Sequence, residues 1–196
     1  MYGMIKEIND LISMFSKFSG LGTKAAKKTV FSLLDNKSKI DDLLSLLEKT
    51  QKTIFKCSVC GNFDTSPVCS ICASTTRDSS ILCIVENAQD LFIIENMHIF
   101  NGRYFVLGTL FPEIETNPDN IEKITTLKNL CVNNNVQEII IALNITLEGK
   151  ITTFYIKEQL ADLNIKVTNL ATGIPVGGEI GFLDEGTLKA AFLDRK

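Results

Sequence analysis

The run Cys57-Ser58-Val59-Cys60-Gly61-Asn62-Phe63-Asp64-Thr65-Ser66-Pro67-Val68-Cys69-Ser70-Ile71-Cys72 holds two C-x-x-C pairs separated by a short loop. A tetrahedral Zn²⁺ site needs four ligands, and each pair supplies two thiolates from one tight turn. The loop lets the pairs face each other. Gly61 follows the first pair, where a turn can use its freedom at positive φ. Asn62, Asp64, Ser66 and Pro67 are turn formers. A single C-x-x-C would fit a redox dithiol or a disulfide equally well. Two pairs this close favour zinc over both. Four thiolates close the coordination shell, so the expected ion is structural, one per chain, with no position left for a substrate.

This run also divides the chain. Before it, Ile5, Ile8, Leu11, Ile12, Phe15 and Phe18 recur at helical spacing. Phe18-Ser19-Gly20-Leu21-Gly22-Thr23 breaks that pattern, and a second helix is expected from about Lys24 to Leu34. Ser38-Lys39-Ile40-Asp41 resembles a capping box and opens a third helix, with Ile40, Leu43, Leu44, Leu46 and Leu47 on its buried side. After Arg77 strands and helices alternate. Ile81–Val85 is a continuous apolar run, as a buried parallel strand requires. Residues 88–96, 120–133, 152–163 and 187–193 read as helices, and 104–107, 138–143 and 166–170 as further strands. The alternation predicts a mainly parallel α/β sheet with helices on both faces. The fold class is therefore α/β in several parts: N-terminal helices, a small four-cysteine zinc loop, a parallel α/β domain and a short tail helix.

Composition narrows the chemistry. The 196-residue chain has 45% hydrophobic residues, no Trp and one His, His98, so a histidine-based metal or catalytic site is nearly excluded. Cys83 and Cys131 lie in apolar stretches and read as small buried hydrophobes. Met1-Tyr2-Gly3 runs straight into an amphipathic pattern, so no signal peptide is expected. No apolar stretch is long enough to span a bilayer. A reducing, cytoplasmic compartment suits a thiolate site. Charge is unevenly placed: residues 1–56 hold ten Lys against six Asp+Glu (+4), and residues 57–196 hold ten Lys+Arg against 17 Asp+Glu (−7). The N-terminal part is thus the better candidate for a polyanion contact.

Three constellations can carry chemistry. Gly20-Leu21-Gly22, followed by Lys24, Lys27 and Lys28, has the physics of a helix-hairpin-helix. Glycines let the backbone approach a ligand, and the first amides of the next helix face a phosphate, helped by the helix dipole. Lys24 and Lys28 share one face. Such a motif holds nucleic-acid backbone without reading sequence; a plain packing turn with exposed lysines is the bland alternative. In an open α/β fold, ligands bind at the carboxyl ends of the strands. Glu86 ends the first strand, Asp90 follows one turn on, and Asn144-Ile145-Thr146-Leu147-Glu148-Gly149 follows the third. Opposed carboxylates there could hold Mg²⁺. The second group offers only one, fewer than metal-assisted phosphoryl transfer wants. Finally, Phe182-Leu183-Asp184-Glu185 resembles a Walker-B-like strand end, but the chain has no G-x-x-x-x-G-K-[ST] loop, which argues against nucleotide hydrolysis by this chain alone.

Taken in order, these segments resemble the RecR family of bacterial recombination mediators over nearly the whole chain. The hairpin pattern L-P-G-V-G-x-K-T-A-x-R is matched by Phe18-Ser19-Gly20-Leu21-Gly22-Thr23-Lys24-Ala25-Ala26-Lys27-Lys28, and the zinc pattern by Cys57, Cys60, Cys69 and Cys72, with Arg77 following. The Toprim opening I-C-V-V-E appears as Leu82-Cys83-Ile84-Val85-Glu86, with Asp90 and Glu95 after it. E-G-x-x-T appears as Glu148-Gly149-Lys150-Ile151-Thr152. The most specific stretch, A-x-G-I-P-V-G-G-E, is Ala171-Thr172-Gly173-Ile174-Pro175-Val176-Gly177-Gly178-Glu179. Departures are Ser19 for Pro, Lys28 for Arg, Asn169 for Arg, Asn144-Ile145-Thr146 for N-P-T, and the loop Phe111–Pro118 in place of S-P-L-D-G-I-G-P.

The resemblance implies four segments: a helix-hairpin-helix DNA-binding region (1–53), a four-cysteine zinc finger (54–77), a Toprim domain (78–172) and a Walker-B-like oligomerisation tail (173–196). It implies a cytoplasmic, nucleoid-associated protein of DNA repair and recombination that breaks no bond. Such a protein acts with RecO, and in some lineages RecF, to load recombinase onto single-stranded DNA. It binds single- and double-stranded DNA through the hairpin, as a dimer or tetramer ring that clamps it, without membrane contact. Glu86, Asp90 and Glu148 then form a partner-docking face. Two readings compete: a Toprim-type metal-dependent nuclease or primase, and a zinc-stabilised interaction module that does not touch DNA.

Overall fold

The computed structural model of the protein describes residues 5–193. Met1-Tyr2-Gly3, on which the signal-peptide expectation rests, and the last three residues of the tail segment lie outside them. The chain divides into two compact units, Met1–Ile54 and Phe55–Lys196. Among the described residues, no helix is long and apolar enough to cross a membrane.

The first unit contains three helices: α1 (Lys6–Ser16), α2 (Thr23–Leu34) and α3 (Lys37–Thr53). Ile12 of α1 packs on Ala26 and Val30 of α2, flanked by Ile8 and Phe15. Only one side of each apolar stripe is used, and Ile5, Leu11 and Phe18 remain exposed. Two sequence expectations change in α3. The helix begins at Lys37, because Asn36 caps it by accepting from the Ser38 N–H at 3.1 Å, so the box at Ser38 is not the cap. Its apolar side is not buried either: Ile40 and Leu43 are half-buried, while Leu44, Leu46 and Leu47 are exposed.

The second unit opens with a short antiparallel pair, β1 (Phe55–Lys56) and β2 (Phe63–Asp64), and the turn of helix α4 (Ser70–Ala73). A parallel sheet follows, built from β3 (Ile81–Val85), β4 (Arg103–Val106), β5 (Glu138–Ala142) and β6 (Lys166–Asn169) in the order β4-β3-β5-β6. The apolar run of β3 is central because both its edges and both its faces are covered. Residues alternate between the faces of a strand. Leu82 and Ile84 join Phe105, Ile139 and Ile141 against Ile124, Leu127 and Cys131 of α7 (Pro118–Asn133) and Ile156 of α8 (Leu147–Gln159). Cys83 and Val85 join Tyr104, Val106 and Leu91 of α5 (Ala88–Asn96) on the opposite face, and there they meet Cys57, Cys60, Cys69 and Ile71. The cysteine loop is thus an integral layer of the sheet's core. Cys83 and Cys131 are buried, as their apolar surroundings predict.

Three elements differ from the sequence pattern. Helix α8 begins at Leu147 rather than at 152, because the Thr146 hydroxyl caps it, accepting from the Gly149 N–H at 3.1 Å. The loop after Phe111 contains a short helix, α6 (Glu113–Thr116). Phe182-Leu183-Asp184-Glu185 does not end a strand. Ile180–Phe182 is a 3₁₀ turn, and Asp184 caps α9 (Glu185–Leu193) by accepting from the Thr187 N–H and hydroxyl at 2.9 and 2.6 Å.

Candidate metal centre and nucleic-acid interface

The four sulfurs of Cys57, Cys60, Cys69 and Cys72 all lie within 4.8 Å of one another, the only such group of potential metal ligands among the described residues. Cys60 Sγ and Cys69 Sγ are 3.6 Å apart and every cysteine is free, so neither pair is a disulfide. Tetrahedral zinc with Zn–S bonds of about 2.3 Å places its sulfurs about 3.8 Å apart, which fits. Local hydrogen bonds build both knuckles. Cys57 N–H donates to Asn62 C=O at 2.6 Å, and Gly61 N–H to Cys57 C=O at 2.9 Å. Gly61 holds φ +79°, the left-handed value its position demands. The Cys69 and Cys72 N–H groups donate to the sulfurs of Cys57 and Cys69 at 3.3 and 3.5 Å. Asp64 closes the loop from outside: its carboxylate accepts from Ser70 N–H and Oγ at 2.7 and 2.9 Å, and these and the Thr65 N–H hold its carboxyl below the usual range.

Electrostatics give a second test of fit. The Cys60 thiol is lowered to about 6, first by its hydrogen bond from Cys72. Burial raises Cys69 to about 11, and the bond to Cys60 with burial raises Cys72 further. The hydrogen bonds that favour the Cys60 thiolate oppose ionisation of Cys72 beside it. Four thiolates need a cation at their centre, and a divalent metal reverses this order by its own charge. The donor set is what Zn²⁺ takes. Zinc bound there would tie both knuckles together and, with its shell closed by sulfur, supply no reactive position.

In the first unit, Gly20 turns the chain at φ +81° after α1. Gly22 is the extended N-cap of α2 and offers no side-chain cap. The early amides of α2 are therefore left to solvent or a ligand. Lys24, Lys27 and Lys28 are exposed on the first two turns, while Ala26 and Val30 turn inward. The structure brings together the five residues singled out at this turn.

The acidic set is less convergent. Glu86 and Asn144 do meet at the carboxyl ends of the adjacent strands β3 and β5, where the Asn144 amide donates to Glu86 Oε2 at 3.1 Å. Asp90 lies in the first turn of α5, and its N–H donates to Asn87 Oδ1 at 3.0 Å. Glu148 is exposed in the first turn of α8. These three carboxylates are not gathered into a metal-ligating group. Beside them the ends of β5 and β6 open on a groove of about 580 Å³ lined by Asn144, Lys150, Thr153, Asn169 and Thr172.

Sequence reasoning missed several supports. Arg77 pairs with Glu95 and donates to Gly102 C=O at 3.0 Å, joining the end of the cysteine loop to α5 and the entry of β4. Thr152, wholly buried, donates to Glu148 C=O at 2.7 Å and accepts from Phe111 N–H at 2.8 Å. Lys123 Nζ donates to Leu107 C=O at 2.9 Å. Each links residues far apart in sequence or depends on a helix register, so no local spacing announces it.

Comparison with known proteins agrees with this arrangement. The family model of the RecR four-cysteine zinc finger domain matches residues 54–74, that of the Toprim domain residues 80–171, and that of the RecR C-terminal region residues 173–196. The protein named Recombination protein RecR of Rickettsia bellii is 43% identical over 186 residues, 94% of this chain and 93% of that protein. Its namesakes in Rickettsia felis and Rickettsia canadensis are each 41% identical over 94% of this chain, covering 92% and 94% of their own lengths. With identity of that order along almost its entire length, and the zinc, Toprim and C-terminal models in sequence, this chain belongs to the RecR family.

Proposed function

We propose that this chain is a DNA-binding recombination mediator in recombinational repair, acting without breaking a bond. One observation carries the DNA contact: exposed Lys24, Lys27 and Lys28 stand on the first turns of α2, behind the uncapped Gly22 N-terminus. Amides and ammonium groups at a helix start suit phosphate, and phosphate contacts position a strand without reading its sequence. Residues 1–53 serve as the DNA-binding region, 54–77 as the zinc finger, 78–172 as the Toprim domain and 173–196 as the association tail. Relatives named as recombination proteins support the pathway. The face bearing Glu86, Asp90 and Glu148 docks the RecO partner, with RecF as an additional one, and the complex loads recombinase onto single-stranded DNA in the cytoplasm, at the nucleoid.

The test is binding of labelled single- and double-stranded oligonucleotides over a salt series. Lys24→Ala/Lys28→Ala weakens both alike and flattens the log–log salt slope by about one unit per lost phosphate contact. Unchanged affinity and slope would move the DNA site elsewhere. Metal-dependent nicking of DNA, abolished by Glu148→Ala, would replace the mediator with a Toprim enzyme.

The chain closes into a ring of copies through its ends. Support comes from apolar side chains left in solvent: Leu44, Leu46 and Leu47 on α3, and Val176, Ile180 and Phe182 in the tail. Faces of that kind mark association sites, and closed symmetry is their usual outcome. Light scattering across a concentration series is expected to give dimer or tetramer masses. A monomer at high micromolar concentration with full DNA binding would rule out the clamp.

A further inference from the structure

Two lysines outside the hairpin converge on the C-terminal end of β4. Lys56 immediately precedes Cys57 and is fixed by the β1–β2 pairing opposite Phe63. Its stem runs along the first cysteine turn: a Cβ built on Gly61 would stand 3.3 Å from Val106 O and 3.7 Å from Lys56 Cε. The turn is itself tied to the strand, since Val106 N–H donates to Cys60 C=O at 2.8 Å. Lys123 reaches the same place from α7. Its Nζ caps Leu107 C=O at 2.9 Å and would stand 2.9 Å from a Cβ on Gly108. Both side chains thus flank the short stretch from Val106 to Gly108, each held by a rigid element.

Among the described residues, neither ammonium is paired with a carboxylate. The Lys123 amine is held below the usual lysine value, first by burial and then by the Lys56 charge, against which Asp119, one turn back on α7, acts the other way. Two cations held together repel, and an anion between them relieves that repulsion; the negative four-thiolate zinc centre beside Lys56 offsets only the Lys56 side of it. The carboxyl ends of parallel strands are where open α/β sheets take their ligands. Ammonium groups serve phosphate as point charges, whereas a carboxylate is gripped best by the planar fork of Arg, which neither residue provides.

We propose that Lys56 and Lys123 together hold one phosphodiester of a nucleic-acid strand at the C-terminal end of β4. The site rests on the DNA-binding reading and adds a phosphate contact in the second unit to those of the hairpin.

Binding of a labelled duplex and a labelled single strand is measured over a sodium chloride series for the full chain. Variants are Lys56→Ala, Lys56→Ala/Lys123→Met and Lys56→Arg/Lys123→Arg, with Lys24→Ala/Lys28→Ala alongside. The Ala/Met pair is expected to bind several-fold more weakly and to lose about 0.9 of log–log slope on the duplex and about 0.7 on the single strand, the value of one phosphate. The Arg pair retains the slope. Lys56→Ala, which leaves the Leu107 cap intact, shows the same direction at unchanged melting temperature, separating phosphate contact from a structural role. If wild type and the hairpin variant behave as a DNA-binding protein requires but the Ala/Met pair keeps wild-type slope and affinity, this site falls alone. An acidic segment of a protein partner is then the better occupant. A wild-type chain that binds neither oligonucleotide overturns the DNA-binding reading, and this site with it.

Discussion

Cys60→Ser is expected to empty the metal centre, from one zinc per chain to almost none, and to melt part of the second unit. A serine hydroxyl is a poor zinc ligand, and the three remaining sulfurs, all within 4.8 Å of one another, leave the tetrahedral shell open at one corner. The knuckle hydrogen bonds are too few to hold the loop alone. Structural zinc in small fingers binds with about 10–16 kcal/mol of apparent free energy, comparable to the whole stability of a domain. Here the damage spreads, because Cys57, Cys60 and Cys69 share one buried cluster with Cys83, Val85, Tyr104 and Val106 of the sheet. A loss of at least about 3 kcal/mol is expected, or about 6–12 °C in melting temperature for a chain of this size. Under the proposed hairpin contact, DNA affinity is expected to fall less than stability, losing only the share carried by Lys56, since Lys24, Lys27 and Lys28 belong to the other unit. Metal analysis, thermal melting and oligonucleotide binding check these three statements. Protein purified without chelator that contains no zinc would sink the assignment.

The same cluster explains what the sequence made legible. Two C-x-x-C pairs carry their chemistry in their spacing, and the apolar run 81–85 carries its burial in its composition. The zinc site and the central strand could therefore be read directly. The turn between α1 and α2 was legible for the same reason: Gly20 and Gly22 are near neighbours in sequence, and the turn they make is local. What could not be read depends on contacts between distant segments. Nothing beside Lys123 announces that its ammonium will cap Leu107, and nothing beside Glu86 announces that Asn144 will donate to it. The apolar side of α3 misled in the opposite direction. Periodicity tells which face is apolar, not whether this chain covers it, and Leu44, Leu46 and Leu47 lie in solvent. The start of α8 was missed because Asn144-Ile145-Thr146-Leu147-Glu148-Gly149 looks like a loop by composition, whereas Thr146 is a cap and the rest its first turn.

That first turn supports the second large effect, Gly149→Ala. By intrinsic propensity alone, alanine for glycine stabilises a helix by about 1 kcal/mol. Here the sign is expected to reverse. Gly149 is buried in the first turn of α8, and a Cβ on it would stand 2.0 Å from the carbonyl oxygen of Asn144 and 3.2 Å from its carbonyl carbon. These are backbone atoms, so no side-chain rotation relieves the clash. Either α8 shifts or the end of β5 bends away. A shift of α8 disturbs Ile156 and Thr152 in the core, and a bend of β5 breaks the Asn144–Glu86 hydrogen bond. Overpacking costs about 1–3 kcal/mol, and an obstacle made of backbone puts this site at the upper end, about 3 kcal/mol or about 6–12 °C in melting temperature. Lys150→Ala, at the exposed next position, should stay within about 0.5 kcal/mol of wild type. Thermal melting of the two variants side by side decides the point. A Gly149→Ala protein as stable as wild type, or more so, would mean that α8 begins later, near Thr152, and that the Toprim face is built differently around Glu86.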